Sequence, residues 1–272
     1  MTALDAEREP TTATAPAAGP VGRAGGNGRR VSREQLVLLV TIPALVAVVL
    51  GGWVAWRLTA ELDAVEARQL AWGAIWRLTR EHVLISVVTT LVVLVIALPL
   101  GVALTRKPLR RAAPLVVGIA NAGQAAPAIG LIVLFAIWLG FGFTTGVVAL
   151  TLYGLLPVLR NTIVGLEGVD ATLVEAGRGM GMSAAAVLFR VELPLAAPVI
   201  MAGVRTALVL VVGTATFATF IDAGGLGALI QTGITLYRTS IVVSGALLVA
   251  SLALLIDWLG RILESVVRPK GV

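Results

Sequence analysis

The stretch Leu173-Val-Glu-Ala-Gly-Arg-Gly-Met-Gly181, running on through Met182-Ser183 to Val191-Glu-Leu-Pro194, decides how this chain is read. It is a long polar interruption in a hydrophobic C-terminal half. Thr172 and Glu175 stand in the T-x-x-E spacing of a capping box, which predicts a short helix starting near Thr172. Gly179 and Gly181 end that helix, because glycine takes a left-handed turn at little cost. Ser183 can cap a second short helix over 184–190. Leu193-Pro194 is expected to stop that second helix and aim the chain into the next apolar run. The product is a helix–turn–helix knuckle between two hydrophobic segments.

The rest of the chain is too apolar for a soluble domain. Of its 272 residues, 58% are hydrophobic and 13% charged, and the mean hydropathy is +0.96. These values fit a protein that crosses a membrane several times. There is no cysteine, which excludes disulfides, thiol catalysis and cysteine metal sites. The single histidine, His82, excludes a multi-histidine metal site. The only lysines, Lys107 and Lys270, lie outside any G-x-x-x-x-G-K-[ST] run. If transport here uses ATP, another chain hydrolyses it.

Working outward from the knuckle, apolar runs cover about 36–56, 83–104, 113–139, 143–165, 197–221 and 240–260. That predicts an all-α membrane protein of about six spans. Residues 1–35, rich in Ala, Pro, Gly and Arg, read as a disordered tail. The first run, 36–56, is longer than the apolar region of a signal peptide and reads as an uncleaved span. Segment 57–81 carries mixed charge, and Trp72 and Trp76 one turn apart suggest a helix lying at the interface. The main body is then 82–263, with a tail at 264–272. Gly140-Phe-Gly142 marks a tight hairpin between two spans.

Basic residues set the expected orientation. With the N-terminus inside, the inner segments hold fifteen Lys and Arg and the outer ones five. The knuckle and both termini are therefore expected in the cytoplasm. The net charge of +6 is explained by topology and anionic lipid, so no nucleic-acid partner is called for.

Polar residues inside spans are candidates for function, since each costs free energy in hydrocarbon. Asn121 and Gln124 share one face of the third span, and Pro127 is expected to kink it. They can line a solute path or hydrogen-bond between helices. Thr214 and Thr216 can line the same path or bond back to their own helix carbonyls. Arg205, about seven residues into the fifth span, is a candidate inner gate or anchor for the knuckle. Asp222 opens Asp222-Ala-Gly-Gly-Leu-Gly227 at the outer end of that span, where it can attract a solute or cap the next helix. His82 reads as an interfacial residue without a catalytic task.

The knuckle resembles the cytoplasmic EAA loop of ABC-importer permeases, whose motif is E-A-A, three residues, G, nine residues, I-x-L-P. Glu175, Ala176, Gly181, Leu193 and Pro194 match at that spacing, with Gly177 for the second alanine and Val191 for the isoleucine. Several stretches are similar to the osmoprotectant branch, which carries glycine betaine, carnitine, choline or proline. They are Asn121-Ala-Gly-Gln124 with Pro127, Tyr153-Gly-Leu-Leu-Pro157, Leu159-Arg-Asn-Thr162, Gly179-Met-Gly-Met182, Ala202-Gly-Val-Arg-Thr206, Gly213-Thr-Ala-Thr216 and Ala223-Gly-Gly-Leu-Gly227. Methionine-type permeases share several of them.

The resemblance implies a type I importer core and a non-enzymatic permease. Its partners would be a second permease, an ATP-binding cassette ATPase that holds the ATP and Mg, and an extracytoplasmic solute-binding protein. The coupling residues would be Glu175, Ala176, Gly177, Gly181, Met182, Leu193 and Pro194. A methionine permease and a secondary transporter are the alternatives. The latter wants mid-span acidic residues, and Asp222 and Asp257 lie near span ends.

Overall fold

The computed structural model describes residues 33–267. Of the expected disordered tail, 1–35, residues 1–32 lie outside the described residues, as do 268–272, while 33–35 open the first helix. Every regular element among the described residues is helical. Five helices are long and apolar enough to cross a membrane, and a bent pair of shorter ones makes up to six crossings.

Helix α1 (Arg33–Thr59) is followed by a single turn and a half, α2 (Ala64–Gln69). Asp63 caps α2 by accepting the N–H groups of Val65 and Glu66, while Glu66 accepts the N–H of Asp63, a reciprocal capping box. Helix α3 (Trp72–Leu104) then runs 33 residues without a break. Trp72 and Trp76, expected on an interfacial helix, sit on the opening turns of α3 itself. Arg57 lies over the Trp72 ring, 5.8 Å from its centroid, so the C-terminal end of α1 is tied to the start of α3.

The third apolar run is two helices. α4 (Ala113–Ala125) and α5 (Ala128–Leu139) meet at an angle of 100°. The kink expected at Pro127 is thus a full break, because proline supplies no N–H and biases Ala126 to extended backbone. Gly140-Phe-Gly142 turns the chain, with both glycines at positive φ, into α6 (Phe143–Glu167). The knuckle helices α7 (Ala171–Gly179) and α8 (Ala184–Val187) follow.

A π-turn, Leu188–Glu192, joins α8 to α9 (Leu193–Thr214) without interruption. Pro194 therefore lies inside a continuous helical run, where the π-turn gives way to α9, and its missing N–H leaves one bond of the helical ladder unmade there. It does not stop the second knuckle helix as expected. Past Thr214 the helix tightens to a 3₁₀ run, Ala215–Ile221, and the short α10 (Gly227–Thr235) leads into α11 (Thr239–Val267).

Helices α3, α6 and α9 form the centre, with α6 packed along both of the others. Small residues permit this. A Cβ added at Gly154 would lie 2.9 Å from Val93 and 3.0 Å from Val211, and one at Gly203 would lie 2.7 Å from the Pro157 carbonyl oxygen. Backbones approach this closely where glycine faces a neighbouring span. α1 lies outside this centre, against α11. The Trp53 indole donates to Ser244 Oγ at 2.9 Å, and the Trp258 indole donates to the Leu39 carbonyl at 2.9 Å. Its other face exposes Val40, Leu45, Val48 and Leu58, a surface suited to hydrocarbon.

Candidate functional site

The knuckle is built as two capped helices around one glycine. Asp170, not Thr172, is the N-cap of α7: its carboxylate accepts the Thr172 N–H at 2.8 Å. The Thr172 hydroxyl and N–H together hold that carboxyl below its ordinary range. Gly181 sits at φ +81°. Its N–H donates to the Arg178 carbonyl at 2.9 Å, and the Met182 N–H donates to the Gly177 carbonyl at 3.2 Å. That is the hydrogen-bond pair of a Schellman motif, closed by the residue that can occupy it without strain. Ser183 Oγ accepts the Ala186 N–H and caps α8, as expected.

Inside the turn, Gly177 is buried against Met182, Val187 and Val191. Glu175, Ala176 and Gly181 face outward, and Glu175 has no partner among the described residues. A Cβ at Gly179 or Gly181 would meet nothing within 4 Å. Met182 and Leu193 are half-buried and Pro194 is exposed.

The broken span is braced by α6. The Tyr153 hydroxyl donates to the Ala126 carbonyl, which the break leaves without a helical partner. Gln124 Nε2 donates to the Tyr153 carbonyl at 3.2 Å. The Gln124 amide is thus committed to helix–helix bonding. Asn121 is exposed on α4 with no hydrogen-bond partner among the described residues, and Pro127 is exposed at the break. Tyr153 was missed as a site residue; only its hydroxyl, 27 positions after Ala126, could have signalled it.

In the fifth span, Thr214 Oγ1 donates to the Leu210 carbonyl at 2.8 Å and Thr216 Oγ1 to the Gly213 carbonyl at 2.7 Å. Both hydroxyls bond back to their own helix. Arg205 faces α11, 3.7 Å from Asp257 and 3.5 Å from Glu264, and Asp257 also holds Arg261 at 2.8 Å. These partners clamp α9 to α11, and none of them lies in the 171–192 loop.

At the far end of the fifth span, Asp222 is exposed and closes the 3₁₀ run in the left-handed region, at φ 57°. Its side chain caps nothing among the described residues; the N-cap of α10 is Leu226. The glycines behind it are pressed onto α3. Gly225 N–H donates to Glu81 Oε2, and Leu226 N–H donates to His82 Nδ1, each at 3.2 Å. His82 Nε2 lies 3.0 Å from the Val212 carbonyl. The Nε2-protonated neutral ring satisfies both partners at once. His82 is fully buried. It pins the 222–227 loop to α3 and α9, a structural role that the sequence reading did not assign to it.

Among the described residues there is no group of three or more acidic or histidine side chains able to hold a metal ion. What the geometry offers is an exposed knuckle, a broken span braced on α6, and a 222–227 loop pinned to α3 and α9.

Comparison with known proteins matches this arrangement. Residues 97–269 match the model of the family described as binding-protein-dependent transport system inner membrane component. The chain is 41% identical over 208 residues to the choline transport system permease protein OpuBB of Bacillus subtilis, covering 76% of this chain and 95% of that one. It is 42% identical over 194 residues to the glycine betaine/carnitine/choline transport system permease protein OpuCB of the same organism, covering 71% and 88%. It is 38% identical over 205 residues to the osmoprotectant import permease protein OsmW of Salmonella typhimurium, covering 74% and 94%. Among solved structures, an inward-facing form of the MetNI methionine ABC transporter aligns with a TM-score of 0.63 and 25% identity, over 74% of this chain and all of that one. Fold, knuckle and relatives agree: the chain is an integral membrane protein belonging to the binding-protein-dependent transport system inner membrane components.

Proposed function

We propose that this chain is the permease subunit of an ATP-driven importer for a small osmoprotectant such as glycine betaine, carnitine, choline or proline. The observation that carries the reading is the knuckle: a doubly capped turn whose Glu175 and Gly181 face outward with nothing to meet among the described residues. Such a surface suits a groove on an ATPase. The substrate class comes from the relatives, whose names are those of choline, carnitine and glycine betaine permeases. Asn121, with its free amide, and the open face of α9 around Gly213 are the path lining this reading favours. Amides and hydroxyls suit a solute whose charges cancel or are diffuse. A phosphate or sulfate would want convergent arginines or helix N-termini.

ATP and Mg would be bound by the ATPase subunit, and selectivity would rest mainly on an extracytoplasmic binding protein. A second permease, the same or different, would complete the pathway. The alternation between inward- and outward-open states then follows from differential affinity of the ATPase pair for the two states.

Two experiments test this. Uptake of labelled betaine and methionine is measured in cells carrying the complete transporter, at low and high osmolarity. Betaine uptake lost on Glu175→Ala supports the reading. Methionine uptake alone moves the chain to the amino-acid alternative. Orientation is tested by cysteine labelling, clean because the chain has no cysteine. Tyr237→Cys, at a residue 94% exposed, should react from outside with an impermeant reagent, and Ala185→Cys only after the membrane is opened. Reversed accessibility overturns the assignment of both termini to the cytoplasm.

A further inference from the structure

The π-turn between knuckle and fifth span ends on Glu192, a carboxylate buried at the foot of α9. Its partner is Arg106, two residues beyond the end of α3. The pair is bidentate: Arg106 Nη1 lies 3.1 Å from Glu192 Oε1, and Nη2 holds Oε2 more closely still. Fork-to-fork pairing of this kind fixes direction as well as distance.

Two features make the pair more than a local clasp. First, Glu192 sits where the helix departs from regular α geometry, and π-turns inside helices are frequent at functional sites. Second, Arg106 belongs to the short connection that ends in the 3₁₀ turn Arg110–Ala112 and continues directly into α4. Arg110 in turn reaches Glu167, the last residue of α6, at 3.3 Å. Thr105, Arg106, Arg110, Leu166, Glu167 and Glu192 line one polar cavity. The knuckle therefore has a charged connection to the broken span that does not pass along the covalent chain.

We propose that Arg106 and Glu192 are positioning residues that carry movement of the knuckle into α4, and so to the break at Pro127. The proposal rests on the transport reading above. When the ATPase moves the 171–192 loop, the π-turn absorbs the change in register. The ion pair, being bidentate, drags the 105–112 connection with it. α4 is short and joined to α5 at an open angle, so it can pivot where an unbroken span would resist.

The test uses the complete transporter with its ATPase, in nanodiscs. Spin labels are placed at Leu115→Cys on α4 and Ala185→Cys on α8, both exposed positions, and distance distributions are recorded with and without nucleotide. This readout needs no transported solute, so it stands even if the substrate assignment fails. A second readout is solute moved per ATP hydrolysed. With the native pair, the Leu115 label should shift with the Ala185 label on nucleotide binding. In Glu192→Gln and in Arg106→Gln, the Ala185 label should still respond while the Leu115 label does not. Transport per ATP should then fall about tenfold, within the usual range of coupling between sites. The swapped variant, Arg106→Glu with Glu192→Arg, should restore the joint response. If the neutral variants move in concert like the native protein, the proposal is overturned. If single variants fail to assemble, the swap decides: concerted motion supports the proposal, while uncoupled motion or failed assembly reduces the pair to a structural clasp and overturns it.

Discussion

Two glycine-rich turns flank the fifth span, and they use glycine in opposite ways. The one before it, around Gly179 and Gly181, leaves each missing side chain facing open space. The one after it, Gly224 to Gly227, is crowded: added Cβ atoms would lie 2.8 Å from Glu81 Oε2, 2.9 Å from His82 Nδ1 and 2.0 Å from the Thr216 carbonyl oxygen. The first pair shapes an open surface, the one proposed above to meet an ATPase. The second group lets the chain close on itself. The same residue type thus marks an open turn at one end of the span and a packed seam at the other, and substitutions should separate the two.

The largest effect is expected at Gly227→Ala. A methyl group 2.0 Å from a carbonyl oxygen cannot be accommodated without moving α10 from the 3₁₀ run. A loss of about 3 kcal/mol or more is expected, at the top of the usual range for overpacking. Thermal unfolding in detergent should show a markedly lower midpoint. A midpoint close to that of the unaltered protein would mean the seam is not closed as described.

His82→Leu comes next. It keeps the volume but leaves the Leu226 N–H and the Val212 carbonyl without partners in a buried site. Each buried polar group left unpaired costs about 1–3 kcal/mol. The same unfolding measurement should show a clear loss, with the hydrogen exchange of residues 222–235 rising first.

At the Gly179–Gly181 turn the expectation reverses. Gly181→Leu meets no neighbour, and its left-handed backbone costs only about 1–2 kcal/mol. The protein should insert and purify. ATPase association or coupling should drop sharply, since the surface offered to the partner changes. Normal transport by this variant would remove the knuckle from the coupling role.

Gly177→Ala should do least. Its Cβ would find Met182 Sδ at 3.4 Å and Val187 at 3.5 Å, ordinary contacts. Alanine in a helix is favoured over glycine by about 1 kcal/mol, so stability should be unchanged or slightly raised. A clear fall would show that the interior of the knuckle is tighter than its distances indicate.

The parts legible in advance were those set by local rules. Apolar length located the spans, and the Ser183 cap and the Gly181 turn follow from residue chemistry over a few positions. The family motif carried the rest of the knuckle. What was misjudged depends on choices that local pattern leaves open. Asp170 and Thr172 are both good caps, and only the backbone bonds decide for Asp170. Pro194 ordinarily stops or kinks a helix, and only the π-turn before it shows that here the helix runs on through it. Pro127 announced a kink, but the extent of the bend depends on Tyr153 in the next helix. His82 was least readable of all: its partners lie 130 and 144 positions away, and beside Glu81 at the start of an apolar run it had the pattern of a surface residue.

The bend at Ala126–Pro127 also orders the biosynthesis of the chain. At 1.5 Å per residue, α4 and α5 are each about 20 Å long, short of the ~30 Å hydrocarbon layer. Neither half can cross as an independent stop-transfer segment. The hydroxyl that receives the broken backbone arrives only with Tyr153, later in synthesis. Residues 113–139 are therefore expected to wait at the bilayer surface until α6 has entered, and to settle against it as a pair. Chains truncated near residue 142 and near residue 168, each followed by a glycosylation reporter, read this directly. Full membrane integration of 113–139 in the shorter chain would show that the segment enters unaided.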